Sequence, residues 1–142
     1  KFKLIFIDAD KGNYKKYCIL RLFNVYGKNQ PENFFIPDIY KKIKLQKEIR
    51  LNKSIRDFIH VDDVVKIINF IIENNINDTI NVGSGCGRLL SSVVKMISSH
   101  KKIKPLVKIS RKNDKLIANI SKLRSIGYKS KIVKINEKNF NI

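Results

Sequence analysis

The sequence predicts an α/β fold, on three observations. The run Cys18-Ile-Leu-Arg-Leu-Phe-Asn-Val-Tyr26, ending at Gly27, is almost continuously apolar, as a parallel strand covered on both faces requires. Apolar residues recur at helical spacing in 33–45, 64–72 and 89–97. The two kinds of segment alternate along the chain, the pattern of layered α/β proteins. A length of 142 residues allows one domain with a real core but not two large ones.

The first segment, Phe2 to Ile7, reads two ways. Phe2, Leu4 and Phe6 alternate as in a strand, whereas Phe2, Ile5 and Phe6 fit one face of a helix. Asp8, Asp10, Gly12 and Asn13 have turn chemistry. The buried strand 18–26 follows. Pro31 opens a new segment, and Asn33 to Leu45 carries Ile36, Ile39, Tyr40 and Ile43 at helical spacing. Glu48 to Leu51 and Ile55 to Val61 read as two short strands. Asp62 and Asp63 are placed to cap a helix with a broad apolar face at Val64, Val65, Ile67, Ile68, Ile71 and Ile72. Asn74 and Asn75 end it. Thr79 to Val82 is a short strand running into Gly83-Ser-Gly-Cys-Gly87, a tight turn before a helix from Leu89 to Ile97. Leu106 to Ile109 is strand-like, and Ser121 to Ile126 is a helix closed by Gly127. Composition and element type both change at Gly27, which places a boundary there.

The formal net charge of +18 raises nucleic acid as a partner. The charge, however, is carried by 24 Lys and 6 Arg, spread evenly rather than clustered. Phosphate and base readout favours the bidentate guanidinium. Lysine, together with abundant Ile and Asn, shares AT-rich codons. The surplus therefore reads as solvated surface, and the expectation is no nucleic acid and no membrane. Cys18 and Cys86 form no zinc-type spacing, so no metal is expected, and a reducing cytoplasm is the default location.

Four motifs carry candidate chemistry. In Arg21-Leu-Phe-Asn-Val-Tyr-Gly27, Asn24 stands at the carboxyl edge of a sheet strand, where ligands bind. It can donate to a phosphate or sugar hydroxyl, or simply cap a turn. In Arg56-Asp-Phe-Ile-His-Val-Asp-Asp63, Arg56 can grip a diphosphate with two hydrogen bonds while Asp57 holds it. A plain surface ion pair is the blander reading. His60, between Ile59 and Val61, reads as structural. Asn81-Val-Gly-Ser-Gly85 can cradle a phosphate, but it lacks the three spaced glycines of the dinucleotide fingerprint. Arg111 and Asp114, three apart on a loop, can meet a phosphate and a ribose diol.

In this order the motifs resemble the extended short-chain dehydrogenase/reductase family, the NAD-dependent nucleotide-sugar epimerases and dehydratases, over its C-terminal half. That half runs as an Arg-Leu-Phe-Asn-Val-Tyr-Gly strand, then Phe-Ile-Pro, Arg-Asp-Phe-Ile-His-Val-Asp-Asp, Asn-Ile-Gly-Ser-Gly, an Arg-x-x-Asp loop and a Ser-Lys…Leu-Gly-Trp close. Here these correspond to Arg21–Gly27, Phe35-Ile-Pro37, Arg56–Asp63, Asn81–Gly85, Arg111 with Asp114, and Ser121-Lys122…Ile126-Gly-Tyr128. Lys28 stands in place of a usual Pro, Leu89 in place of Ser or Thr, and Tyr128 in place of Trp.

The resemblance implies the end of a Rossmann-type parallel sheet in residues 1–27 and the smaller α/β nucleotide-sugar-binding domain in residues 28–142. The helix 62–74 would pack back on the Rossmann part. It implies that Phe23 lies near the nicotinamide and that Asn24 meets the diphosphate. Phe35, with Pro37, would wall the base. Arg56 and Arg111 would grip the diphosphate, and Asp114 would take a ribose hydroxyl. The family's catalytic pair is Tyr-x-x-x-Lys. By distance from the Arg-Leu-Phe-Asn strand, Lys1 matches its lysine, with the tyrosine upstream, which favours a helix over Phe2 to Ile7. NAD or NADP would be bound mainly by the other half, the substrate would be a nucleoside-diphosphate sugar, and the full-length enzyme would be a homodimer. The 142 residues alone are expected to be inactive. Two competing readings are a non-catalytic nucleotide-sugar-binding module or split-gene remnant, and a basic nucleic-acid-binding protein.

Overall fold

The computed structural model describes residues 3–10 and 15–135. The order of elements is β1 (Lys3–Asp10), β2 (Lys15–Leu22), β3 (Asn24–Tyr26), α1 (Phe35–Lys44), β4 (Ile49–His60), α2 (Val61–Glu73), β5 (Thr79–Val82), β6 (Gly87–Leu89), α3 (Leu90–Lys101), β7 (Val107–Leu116) and α4 (Ser121–Ser125). The α/β expectation holds. One sheet runs β1-β2-β5, with β2 antiparallel to β1 and parallel to β5. The second runs β3-β4-β6, and β7 pairs in parallel with β4.

The chain divides into two compact units. One comprises 1–25, 57–86 and 117–134; the other comprises 26–56, 87–116 and 135–142. The chain thus passes between units repeatedly, and β4 supplies both.

The first unit is built on β2 and β5 with α2 and α4. Its core contains Cys18, Leu20 and Leu22 from β2, Ile80 and Val82 from β5, Val64, Ile67 and Ile71 from α2, and Leu123 from α4. Burying an aliphatic side chain of this size stabilises by about 1.5–3 kcal/mol. Spacing of three and four puts the α2 residues on one stripe. Val61, Val65 and Ile72 remain exposed on the same helix, so the broad apolar face is only partly used by this core. Asp63, in the first turn, is buried and accepts from Lys66 Nζ at 3.0 Å and from the Val133 N–H at 2.8 Å. That ties the tail to α2 as far as the buried Ile132. Gly127, at φ +99°, ends α4 in the left-handed conformation glycine tolerates best.

The second unit buries Ile36, Ile39 and Ile43 of α1, Ile49 and Leu51 of β4, and Val93, Val94 and Ile97 of α3. Helices α1 and α3 pack together, and Lys101 Nζ sits 4.6 Å from the ring centre of Tyr40.

Several local expectations change. Residues 3–10 form a strand, not the helix the Tyr-x-x-x-Lys reading favoured. The run Ile5-Phe-Ile7 is β-branched and aromatic, and the strand that carries it pairs along the whole edge of β2. The strand also takes in Asp8 and Asp10, where a turn was expected. The run 18–26 breaks at Phe23 into β2 and β3, and the two short strands around Ser54 are one strand, β4. Helix α2 starts a residue early: His60, not Asp62, is its cap, with Nδ1 accepting the Asp62 N–H at 3.3 Å. The glycine turn enters β6 before α3 begins. Arg111 and Asp114 stand on a strand, not a loop.

Candidate functional site

Arg56 and Asp57 are neighbours on β4, and alternation along a strand sends their side chains to opposite faces. Asp57 is fully buried. Its Oδ1 accepts the Ser84 N–H at 2.8 Å and also the Ser84 hydroxyl, while its Oδ2 accepts from Gly85 N at 2.9 Å and Ala118 N at 3.1 Å. Both oxygens are thus engaged by the glycine turn and by the segment entering α4. Asp57 therefore does not hold Arg56, contrary to the sequence-based expectation. The turn donors that could have faced a phosphate face this carboxyl group instead. Gly83 is required by space: a Cβ there would stand 2.4 Å from Ala118 Cβ and 2.8 Å from Asp57 Oδ2.

Arg56 turns the other way and meets Asp114. Its Nη2 donates to Asp114 Oδ2 at 2.6 Å, and its Nη1 donates to the Ile55 carbonyl at 3.0 Å. The parallel register places Ser54 opposite Asp114 and Arg56 opposite Leu116. Strand β7 therefore carries Asp114 to Arg56 from 58 residues away in sequence. The Arg56 hydrogen bond, and then the Ser54 hydroxyl, hold the Asp114 carboxyl below the usual carboxylate range. Among the described residues, two of the five guanidinium N–H donors are used, so the fork is fixed in direction with donors to spare.

Arg111 lies where the β4–β7 register slips. Leu51 pairs with Ile109 and Lys53 with Asn113, so two residues of β4 span four of β7. The extra length bulges out between them and carries Arg111, exposed on the same strand as Asp114. At the slip, Ser110 Oγ donates to Asn52 Oδ1 at 2.7 Å. A shallow cleft of about 260 Å³ there is lined by Arg50, Leu51, Asn52, Lys108, Ile109 and Ser110. Its two cations both pair with Glu48, so it offers an anion little.

The remaining expected residues are placed as follows. Asn24 opens β3 and donates through Nδ2 to the Asp57 carbonyl at 2.7 Å, so one amide hydrogen braces the fold. Phe23 is nearly buried between β2 and β3, and its N–H donates to the Val82 carbonyl at 3.0 Å. Phe35 is half-buried at the first turn of α1, with Pro37 buried beside it. Lys1 lies outside the described residues. The structure thus joins Arg56, Asp114 and the Arg111 bulge in one unit, while Phe23 and Asn24 belong to the other.

Sequence reasoning missed three residues. Ser54 is a buried strand serine without any motif to mark it. Asp63 was read as a cap but anchors the tail. Arg88, on β6, follows the glycine motif, and nothing in its local sequence signals its setting.

Comparison with known proteins adds a second line. The sequence pattern of the NAD dependent epimerase/dehydratase family matches residues 5–83, more than half the chain. An ADP-L-glycero-D-manno-heptose-6-epimerase of Brachyspira hyodysenteriae (strain ATCC 49526 / WA1) is 29% identical over 133 residues, covering 82% of this chain and 42% of that protein. Among solved structures, the UDP-N-acetylglucosamine 4-epimerase from Methanobrevibacter ruminantium M1, in complex with UDP-N-acetylmuramic acid, is 27% identical. Its TM-score is 0.72, with coverage of 88% of this chain and 42% of that one. The dTDP-glucose 4,6-dehydratase from Bacillus anthracis str. Ames, in complex with NAD, shares the fold at a TM-score of 0.73 and 18% identity, over 86% of this chain and 41% of that one. The chain spans about two fifths of the length of the relatives it matches.

Proposed function

Because this chain belongs to the NAD dependent epimerase/dehydratase family, we propose that it is the part of such an enzyme that binds the nucleoside diphosphate of a nucleotide-sugar substrate. The observation that carries the proposal is the Arg56–Asp114 pair with Arg111 on the adjoining bulge. A guanidinium held by a carboxylate on one edge presents its other donors in a fixed fork, which suits phosphate oxygens. Arg111 supplies a second, exposed fork. Asp114 orients Arg56 through Oδ2 and, as a half-exposed carboxylate, has lone pairs left to accept a ribose hydroxyl. Phe35, at the start of α1, serves the base. In the other unit, Asn24 keeps one amide hydrogen for a phosphate oxygen, and Phe23 is assigned to the nicotinamide side.

The described residues do not fit a dinucleotide by themselves. The one glycine turn that could take a phosphate has its N–H groups on Asp57. The cofactor, NAD or NADP, is therefore assigned to the part of the relatives' length that this chain does not span. Lys1, as the lysine of the Tyr-x-x-x-Lys pair, belongs to the same proposal. So do a cytoplasmic location and a homodimeric full-length enzyme. Epimerase, dehydratase and reductase chemistry share this substrate grip.

A second reading, a binding module without catalysis, draws on the same contrast: an open anion grip in one unit and, in the other, a glycine turn already filled from within. Titrating UDP-, dTDP-, CDP-, GDP- and ADP-sugars against this chain and against the full-length enzyme separates the two. The proposal expects binding by both and turnover by the full-length protein alone. Binding without turnover in both supports the module, and binding by neither overturns the substrate assignment.

A further inference from the structure

The six arginines of this chain have unequal settings. Arg21 and Arg111 are exposed to water. Arg50 pairs with Glu48, Arg56 pairs with Asp114, and Arg124 donates to the carbonyls of Tyr128 and Ser130. Arg88 is half-buried, and its Nε is shut off from solvent with no hydrogen-bond partner among the described residues. A guanidinium cannot shed its proton to escape such a setting. A covered N–H on a permanent cation costs free energy until an acceptor, best an anionic one, reaches it.

The place of Arg88 bears on which acceptor that is. It is the middle residue of β6, and β6 is hydrogen-bonded to β4, the strand that carries Arg56. Arg56, Arg88, Arg111 and Asp114 all fall in the same unit. No carboxylate among the described residues is paired with Arg88, whereas Asp114 is already spent on Arg56. We propose that Arg88 is a third guanidinium contact of the substrate site, donating through Nε and one Nη to a phosphate oxygen of the nucleoside diphosphate. The inference rests on the nucleotide-sugar reading above and deepens it. It accounts for an otherwise costly cation: the unliganded protein carries the desolvated Nε–H unpaired, and bound phosphate satisfies it.

The test compares the wild-type chain with Arg88→Gln and Arg88→Lys. Each is titrated calorimetrically with UDP, dTDP, CDP, GDP, ADP, UMP and inorganic pyrophosphate at one fixed salt concentration, and each is melted without ligand. Arg88→Gln should weaken the preferred nucleoside diphosphate about tenfold to a hundredfold, the scale of a lost charge-assisted hydrogen bond in a covered site. Its ligand-free melting temperature should equal or exceed wild type, because an unpaired covered cation has been removed. Lysine should recover only part of the affinity, since it lacks the fork. Affinity within twofold of wild type in Arg88→Gln overturns the inference. So does weaker binding with a matching drop in the ligand-free melt, which marks a structural arginine. The two readings fail separately. If wild type takes pyrophosphate in an Arg88-dependent way but no nucleoside diphosphate, the anion site stands and the nucleotide reading falls. If wild type binds none of these ligands, both fall.

Discussion

Arg56 and Asp57 share a peptide bond and have opposite surroundings. Asp57 is enclosed, with both carboxyl oxygens engaged by three backbone N–H groups and a hydroxyl. Arg56 reaches a half-exposed carboxylate and keeps donors free. A strand's alternation makes this possible: one position closes the fold of its unit while the next is presented outward. The contrast separates a residue type that motif matching lumps together, since both belong to the same eight-residue signature. It predicts that the two respond differently to every perturbation.

The largest effect is expected at Asp57. Replacing it by Ala strands four donors around a fully buried carboxyl position, which should cost about 3–5 kcal/mol in denaturant unfolding. An Asp57→Ala chain as stable as wild type would mean that the glycine turn does not depend on this carboxyl group. Next comes Gly83→Ala. The added methyl meets Ala118 Cβ and Asp57 at distances real Cβ atoms do not adopt, and overpacking of this kind costs about 1–3 kcal/mol. A double substitution with Asp57→Ala should cost somewhat less than the sum, because one of the two clash partners is gone while Ala118 Cβ remains.

The exposed member of the comparison should show itself through pH. Arg56 and Ser54 hold the Asp114 carboxyl below its usual range. A depressed carboxyl contributes stability above its unfolded pKa and loses it as pH falls through the folded value. Wild type should therefore melt slightly above Asp114→Asn at neutral pH, with the gap closing well below about pH 4. A gap that persists unchanged into strong acid would place the effect elsewhere. The smallest effect concerns the two thiols. Cys18 is buried in the first unit's core, and burial raises its thiol pKa. Cys86 sits part-exposed beside the glycine turn. A thiol reagent followed by mass spectrometry should mark Cys86 first and Cys18 only as the chain unfolds. Equal rates would show that the core of the first unit opens readily.

Much of the fold was legible because burial leaves a periodic trace. The helical spacing of Ile36, Ile39 and Ile43, the strand Thr79–Val82 and the stop at Gly127 all appear where the letters place them. The misreadings fall where periodicity is ambiguous or where tertiary pairing decides. Leu4-Ile-Phe-Ile7 satisfies both periods, and the open edge of β2 settles it as a strand. The polar residues Asn52, Lys53 and Ser54 looked like a break between strands, yet β7 pairs across them and draws them into one. At the site, the motifs named Arg56, Arg111 and Asp114 but gave Asp57 the wrong partner. A sequence shows that a carboxylate follows an arginine but not which side of the strand each faces a ligand from. Arg88 was invisible for a related reason, since its distinguishing property is a covered Nε without a hydrogen-bond partner among the described residues, and that exists only in three dimensions.

The most direct measurement is calorimetric titration, at physiological salt, of the tightest binder among UDP, dTDP, CDP, GDP and ADP into wild type and Arg56→Gln, with the melting temperature of each recorded. Arg56→Gln should bind about tenfold more weakly or worse, with a melt displaced far less than that of Asp57→Ala. Unchanged affinity in Arg56→Gln, or a loss of stability as large as that of Asp57→Ala, would contradict the division of labour between these two neighbours.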